Sequence, residues 1–174
     1  SSVKLTLAAP ILNNTIYTIR VDNLITDCAG NFLGVPNTAT FAIPQPCLSN
    51  DIVINEVLPD PKDNGVEWVE IYNRSKKIID LSTLTLCSQD TTANVLTEVN
   101  IISFEQFLIF PGEYYVLSEN TSAVLSQYST INSEGFIQMS SIPSQSNDGD
   151  IVVIADLSQT LIDKLIYTSD WHFP

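Results

Sequence analysis

The sequence has little positive charge: seven lysines and arginines stand against twenty aspartates and glutamates, a formal net charge of −13 over 174 residues. Nucleic-acid affinity rests on neutralising phosphate with Lys and Arg, so this balance argues against a nucleic-acid partner. It argues equally against docking on anionic lipid. No apolar run approaches the roughly 20 residues that a membrane helix needs, so membrane insertion is not expected. The longest runs, such as Ile151 to Ala155, are strand-length. Ser1 opens no basic segment followed by an apolar one, so no secretory leader is expected in this sequence. Histidine occurs once, as His172, and no Cys-x-x-Cys pair exists, which leaves no set of zinc ligands. Neither a phosphate-binding loop nor a dinucleotide fingerprint appears.

What is present has the texture of β-structure. Hydrophobic residues make up 44% and the mean hydropathy is +0.15, too apolar for a disordered acidic tail. The length fits one domain and part of a second. Val, Ile, Leu, Thr and Tyr recur in short runs between turn residues, and no helical period persists over three turns. Strands are expected at Val3–Leu7, Thr15–Val21 and Thr38–Ile43, with a turn at Asp27 to Asn31. Pro44-Gln45-Pro46 then interrupts the pattern, because proline cannot donate to a ladder. This divides the chain into residues 1–43, a linker at 44–49, and a second domain at 50–174. Strands resume at Ile52–Leu58, Val66–Tyr72, Leu84–Cys87, Asn94–Ile101, Phe107–Phe110, Glu113–Ser118, Ile151–Ala155 and Leu161–Tyr167. One short helix is expected at Thr121–Tyr128 behind an Asn120 cap. Regularly spaced short strands mean an all-β sandwich or barrel.

Three cysteines are present. Cys28 and Cys47 close a loop that a disulfide could stabilise by roughly 3 kcal/mol. Three unbridged, buried thiols are the alternative. Cys87 is expected to be buried and free, or paired outside this chain.

Residues 52–81 contain Ile54-Asn55-Glu56-Val57, Asp60-Pro61, Glu67-Trp68-Val69-Glu70-Ile71-Tyr72-Asn73 and Ile79-Asp80-Leu81. Further on come Phe110-Pro111-Gly112-Glu113-Tyr114-Tyr115-Val116-Leu117, Asn147-Asp148-Gly149-Asp150 and Tyr167-Thr168-Ser169-Asp170-Trp171. Together these resemble the lamin tail domain as it occurs in bacterial surface and secreted proteins, over about residues 50–171. The resemblance implies an immunoglobulin-like β-sandwich, and a module of the kind attached to secreted nucleases and other hydrolases. Tyr17-Thr18-Ile19-Arg20-Val21 and Asp27-Cys28-Ala29-Gly30-Asn31 are similar to the closing strands of a bacterial Ig-like domain. Three strands cannot close a sandwich, so the exposed face of this truncated sheet is expected to need cover, from the second domain or from another chain. A role at the nuclear lamina is not inherited, because no heptad rod precedes the domain and a shared fold does not transfer function.

Candidate sites follow from residue chemistry. In Val66–Tyr72 one face carries Glu67, Val69 and Ile71 and the other Trp68, Glu70 and Tyr72, so both faces are expected to be partly buried. Ser169, Asp170 and His172 lie close in sequence, but without a nucleophile elbow they read as tail residues. Asp60, Asp63 and Glu67 share a loop with Gly65 and offer the oxygen ligands calcium prefers; Asp148 and Asp150 flank Gly149 in a lesser version. Trp68, Tyr72 and Trp171 are the candidates for a sugar-stacking platform, against the commoner use of strand aromatics in packing. The segment Tyr128–Asn147 reads as a long loop suited to binding. Asn13-Asn14-Thr15, Asn73-Arg74-Ser75 and Asn120-Thr121-Ser122 match the N-glycosylation pattern by coincidence.

The expectation is a non-catalytic interaction or spacer module of a larger secreted or cell-surface bacterial protein. Its partners would be a protein or glycan ligand and neighbouring domains of the parent chain. No cofactor is expected beyond a structural calcium. The alternatives are a carbohydrate-binding module and a calcium-stabilised accessory domain of a secreted hydrolase.

Overall fold

A computed structural model describes residues 4, 6–22, 24–32, 34 and 37–171. The chain divides into two compact units, Ser1–Gln45 and Pro46–Pro174. In the first, Lys4 and Arg20 offset Asp22 and Asp27, so the whole charge of −13 falls on the second.

In the first unit β1 (Tyr17–Arg20) and β2 (Thr38–Phe41) pair antiparallel. Tyr17 opposes Phe41 in register and their rings stack at 5.4 Å. Of the expected strand Val3–Leu7, Val3 and Leu5 lie outside the described residues, and Lys4, Thr6 and Leu7 are not in a strand. The turn after β1 is organised by Asp27, whose Oδ1 accepts the amides of Ala29 and Asn31 at 2.8 and 2.9 Å. Its Oδ2 accepts Asn31 Nδ2. Gly30, at φ +84°, supplies the left-handed step that this turn requires.

The second unit is a β-sandwich. Its strands are β3 (Ile52–Leu58), β4 (Trp68–Asn73), β5 (Ile79–Asp80), β6 (Leu84–Asp90), β7 (Val95–Ile101), β8 (Leu108–Ile109), β9 (Tyr114–Ser118), β10 (Phe136–Gln138), β11 (Gly149–Asp156) and β12 (Leu161–Thr168). One sheet runs β10-β9-β4-β3 and the other β12-β11-β6-β7, while β5 and β8 form a small pair. Among the described residues one α-helix, α1 (Thr121–Gln127), is present, capped as expected by Asn120, whose Oδ1 accepts the Ala123 amide. Pairing is antiparallel throughout the unit except that β10 runs parallel to β9.

Alternation explains the core. In β4, Val69, Ile71 and Asn73 are fully buried between the sheets, and Trp68, Glu70 and Tyr72 occupy the opposite face. Both faces are thus covered, the inner one fully and the outer one in part, with Trp68 buried and Glu70 and Tyr72 half-buried; Glu67 precedes the strand. From the other sheet Leu84, Leu86, Val152, Ile154 and Tyr167 meet the same core. Buried aliphatic side chains of this size contribute about 1.5–3 kcal/mol each. In β3 a bulge sets Asn55 out of register between Ile54 and Glu56, so that Val57 returns to the core side.

Residues 46–49, expected as linker, belong to this second unit. Cys47 packs against its core and Lys77 Nζ reaches the Pro46 carbonyl at 3.4 Å. Cys28 belongs to the first unit and Cys47 to the second, each carried as a thiol. Cys47 is turned into the sandwich, where burial and the neighbouring Asp51 push its thiol pKa up to about 12. Cys28 is exposed rather than buried. Cys87 is buried and unpaired on the far side of the β6–β11 sheet, beside Val153 and Ala155.

Candidate functional site

A cleft of about 540 Å³ lies in the second unit, walled by Val66, Glu67, Glu98, Glu119, Ser141 and Ser144. Its size is that of a small-ligand site, but its walls are mixed: three carboxylates and two hydroxyls stand among Pro61, Val66 and Ile142. Glu67 comes from the loop before β4, Glu98 from β7, and Glu119 from the residue after β9. The floor is the extended segment that leaves β10 and crosses back toward β11.

This segment has almost no strand partner, and its main chain is held by acids instead. Glu119 Oε1 accepts the amide of Ile142 at 3.0 Å, and Glu98 Oε2 that of Ser144 at 2.7 Å. Glu67 Oε2 accepts the amide of Gln145 at 3.2 Å, and Asp150 Oδ2 that of Ser146 at 3.3 Å. Residue 143 is proline and has no N–H to give. From Ile142 to Ser146, then, every main-chain N–H goes to a carboxylate. Tyr167 completes the strap, donating its hydroxyl to the Ser146 carbonyl at 2.9 Å. Burial, with Asp150 and Glu67 nearby, pushes the Tyr167 hydroxyl up to about 12. Hydrogen bonds from a carboxylate to backbone amides are among the stronger ones available to a protein, and they substitute here for a ladder.

The arrangement leaves Glu67 under electrostatic pressure. Partial burial raises its pKa above the ordinary value, the Gln145 amide pulls it down, and Glu119, Asp150 and Glu98 push it further up. A carboxyl raised in the folded state contributes most to stability when protonated, and that contribution is lost as pH rises through its folded pKa. Glu67→Gln keeps an oxygen for the Gln145 amide and removes the charge. It should melt above the wild type at pH 8, with the difference narrowing toward pH 4. Thermal melts of both proteins across that range check this; a difference independent of pH would overturn it.

The expected calcium loop is organised differently. Asp60 accepts Asn147 Nδ2 at 3.3 Å, Glu67 turns to the strap, and the Asp63 carbonyl accepts Gln127 Nε2 from α1. Asp60, Asp63 and Glu67 therefore do not converge, and among the described residues no group of three acids, histidines or cysteines is placed to hold a metal ion. Asp148 and Asp150 likewise do not gather: Asp150 caps the amides of Ser146 and Ile151.

Nor are the three aromatics brought together as a platform. Trp68 is buried, its ring meeting Tyr128 edge-on at 6.5 Å, and Lys62 Nζ stands over the Tyr128 ring, 4.7 Å from its centroid. Tyr72 is half-buried and stacks on Tyr114 at 4.3 Å. Trp171 is 56% exposed, but it follows β12 in the other sheet. His172 lies outside the described residues. Ser169 and Asp170 are exposed in the short turn after β12.

Two of the three N-glycosylation matches have structural employment. Asn73 is fully buried and Asn120 caps α1. The strap acids and the Tyr72–Tyr114 pair were not singled out together by sequence reasoning. The run Ser141-Ile142-Pro143-Ser144-Gln145 has too few apolar residues for a strand and gives no further local signal.

A family model for the Lamin Tail Domain matches residues 47–169. No curated protein matches the chain. The matched span takes in β3 to β12 and with them the strap, the cleft and the whole core. On that match and that sandwich, the chain belongs to the lamin tail domain family, an immunoglobulin-like all-β fold.

Proposed function

We propose that this chain is a non-catalytic interaction or spacer module of a larger secreted or surface-attached bacterial protein. The observation that carries the reading is the use to which the cleft puts its acids. Glu67, Glu98 and Glu119 each accept a main-chain amide of the strap. A hydrolytic pair needs one carboxyl free to give a proton and another free to take one or to attack. Acids committed to holding backbone serve the shape of the domain. Membership of an immunoglobulin-like, non-enzymatic domain family supports the same conclusion, and the burial of Trp68 favours a protein over a sugar as ligand.

The test is to apply the intact chain to arrays of purified extracellular-matrix proteins and of glycans, in millimolar calcium and in chelator, beside an assay for turnover of polysaccharide and ester substrates. The expected result is retention on protein and not on glycan, the same in both buffers, with no turnover. Glycan retention abolished by Trp171→Ala would replace this reading with a carbohydrate-binding one. Retention that requires calcium would replace it with a calcium-stabilised accessory domain. Turnover would overturn it outright.

A further inference from the structure

The β10-β9-β4-β3 sheet has a second face, turned away from the core. Directly paired residues share a face, so the register places Val53, Tyr72 and Tyr114 in one row across it. Glu56, Glu70 and Val116 form the next row. Two features of these rows are unusual for a surface shaped only by folding.

The first is the acid pair. Glu56 and Glu70 are register partners across β3 and β4, and like charges directly opposite destabilise a sheet. Among the described residues the one ion pair is Lys77 with Asp51, so neither glutamate is ion-paired there. Glu70 Oε1 accepts Asn55 Nδ2 at 2.7 Å, which leaves its other oxygen uncommitted, and Glu56 is exposed. Partial desolvation of its carboxyl and then the charge of Glu70 hold Glu56 above its ordinary pKa, which agrees with a repulsion that no ion pair among the described residues relieves.

The second is the tyrosine pair. Tyr72 and Tyr114 stack at 4.3 Å with their planes 19° apart, so each ring covers one face of the other. Tyr114 nevertheless remains 44% exposed. Glu70 lies close enough to act on the Tyr114 hydroxyl, and Glu56 faces Glu70 in the same row. An aromatic pair bordered by carboxylates is the environment that a guanidinium prefers. Its plane stacks on the ring, while its fork of N–H donors reaches the oxygens. The surrounding unit carries all of the net negative charge, which would draw such a group in.

We infer that the outer face of β3, β4 and β9 docks an arginine-bearing polypeptide partner, with the guanidinium held by Glu56 and Glu70 and stacked on the Tyr72–Tyr114 pair. The occupant follows from charge complementarity. A neutral sugar would stack on Tyr114 but leave the acid pair unrelieved, whereas a guanidinium satisfies both rows. This rests on the interaction-module reading and names the chemistry of one partner surface for it.

The experiment uses the intact chain, labelled for amide and aromatic NMR, titrated with the peptide acetyl-Gly-Arg-Gly-amide. The same peptide with citrulline, which has the same shape without the charge, is the control, and a neutral oligosaccharide is the third arm. The expected result is saturable shifts at residues 53–57, 70–72 and 114–116 with arginine and none with citrulline. Binding should weaken about tenfold in Glu70→Gln and in Tyr114→Ala. Glu56→Gln should weaken it too while melting no lower than the wild type, since it removes the repulsion, so a loss there cannot be ascribed to unfolding. Shifts of equal size at Glu67, Glu98 and Glu119 would reduce the effect to general attraction by a −13 surface and overturn the inference. Sugar-induced shifts at Tyr114 without arginine-induced ones would overturn it in favour of a glycan. If matrix proteins are retained on the arrays but arginine moves nothing here, this surface fails and the module reading stands. If neither binds, both fail.

Discussion

Asn73→Ala should lower the stability of the sandwich by about 3–5 kcal/mol, among the largest losses of any single truncation in it. The residue ends β4, faces the core and is fully buried. Its side-chain Nδ2 donates to the carbonyls of Lys77 and Ile109 at 2.8 and 3.1 Å. Its Oδ1 accepts the Ser75 amide at 3.0 Å and the Ser75 hydroxyl at 2.7 Å. Four hydrogen bonds thus tie together the end of β4, the turn after it and the end of β8. Each buried polar group left unpaired costs about 1–3 kcal/mol, and alanine leaves several at once while opening a small void. Asn73→Asp separates the two halves of this function. It keeps both acceptors for Ser75 but sets a carboxylate against two carbonyl oxygens. It should be the worse variant at pH 7 and should recover on acidification, since a carboxyl in that setting has a raised pKa and folds best protonated. Urea unfolding followed by circular dichroism at pH 7 and pH 4.5 measures both. A loss below about 1 kcal/mol for Asn73→Ala would show that neighbouring groups or solvent replace the amide.

Gly149→Ala comes next, at about 2–4 kcal/mol. Gly149 opens β11 opposite Thr168, with φ at +127°, a region that side chains rarely enter. A Cβ there would stand 2.7 Å from the Tyr167 carbonyl oxygen and 3.0 Å from the Thr168 Cα. Both obstacles are backbone of the paired strand, so neither can swing aside. Gly112 provides the internal comparison. It has φ at +83°, and a Cβ would meet nothing within 4 Å. Gly112→Ala should therefore cost only the left-handed conformation, about 1 kcal/mol. Denaturation of the two variants side by side decides the matter. Equal losses would mean that conformation alone, and not the close approach of β12, fixes the glycine at 149.

These two residues also mark what could be read in advance. Ile52–Leu58 has its strand bounds as expected, and Asn120 its cap, because each rests on a local signal: an apolar run closed by proline, or an amide oxygen one turn before an N–H. Gly149 was legible as a turn but not as a point of contact, since Tyr167 comes eighteen positions later. Asn73 reads as a turn residue, and only the packing of β8 against β4 makes it the centre of a buried network. The two-residue β5 and three-residue β10 are too short to show any alternation. Trp68 looked available because the group that buries it, Tyr128, lies sixty positions away beyond α1. Of the cleft acids, Glu67 looked like a calcium ligand for the same reason. Glu67, Glu98 and Glu119 are isolated in sequence, and nothing local announces that all three turn toward one stretch of backbone.

That stretch has a consequence for how the domain tolerates insertion and deletion. A surface loop can usually gain or lose a residue, because its backbone is satisfied by water and its ends are fixed elsewhere. From Ile142 to Ser146 the acids instead read the backbone position by position, and the single residue without an N–H falls where no acid waits. One added residue would carry Pro143 out of its gap and move every downstream amide off its carboxylate. The segment looks like a connector, but its length is as fixed as that of a central strand.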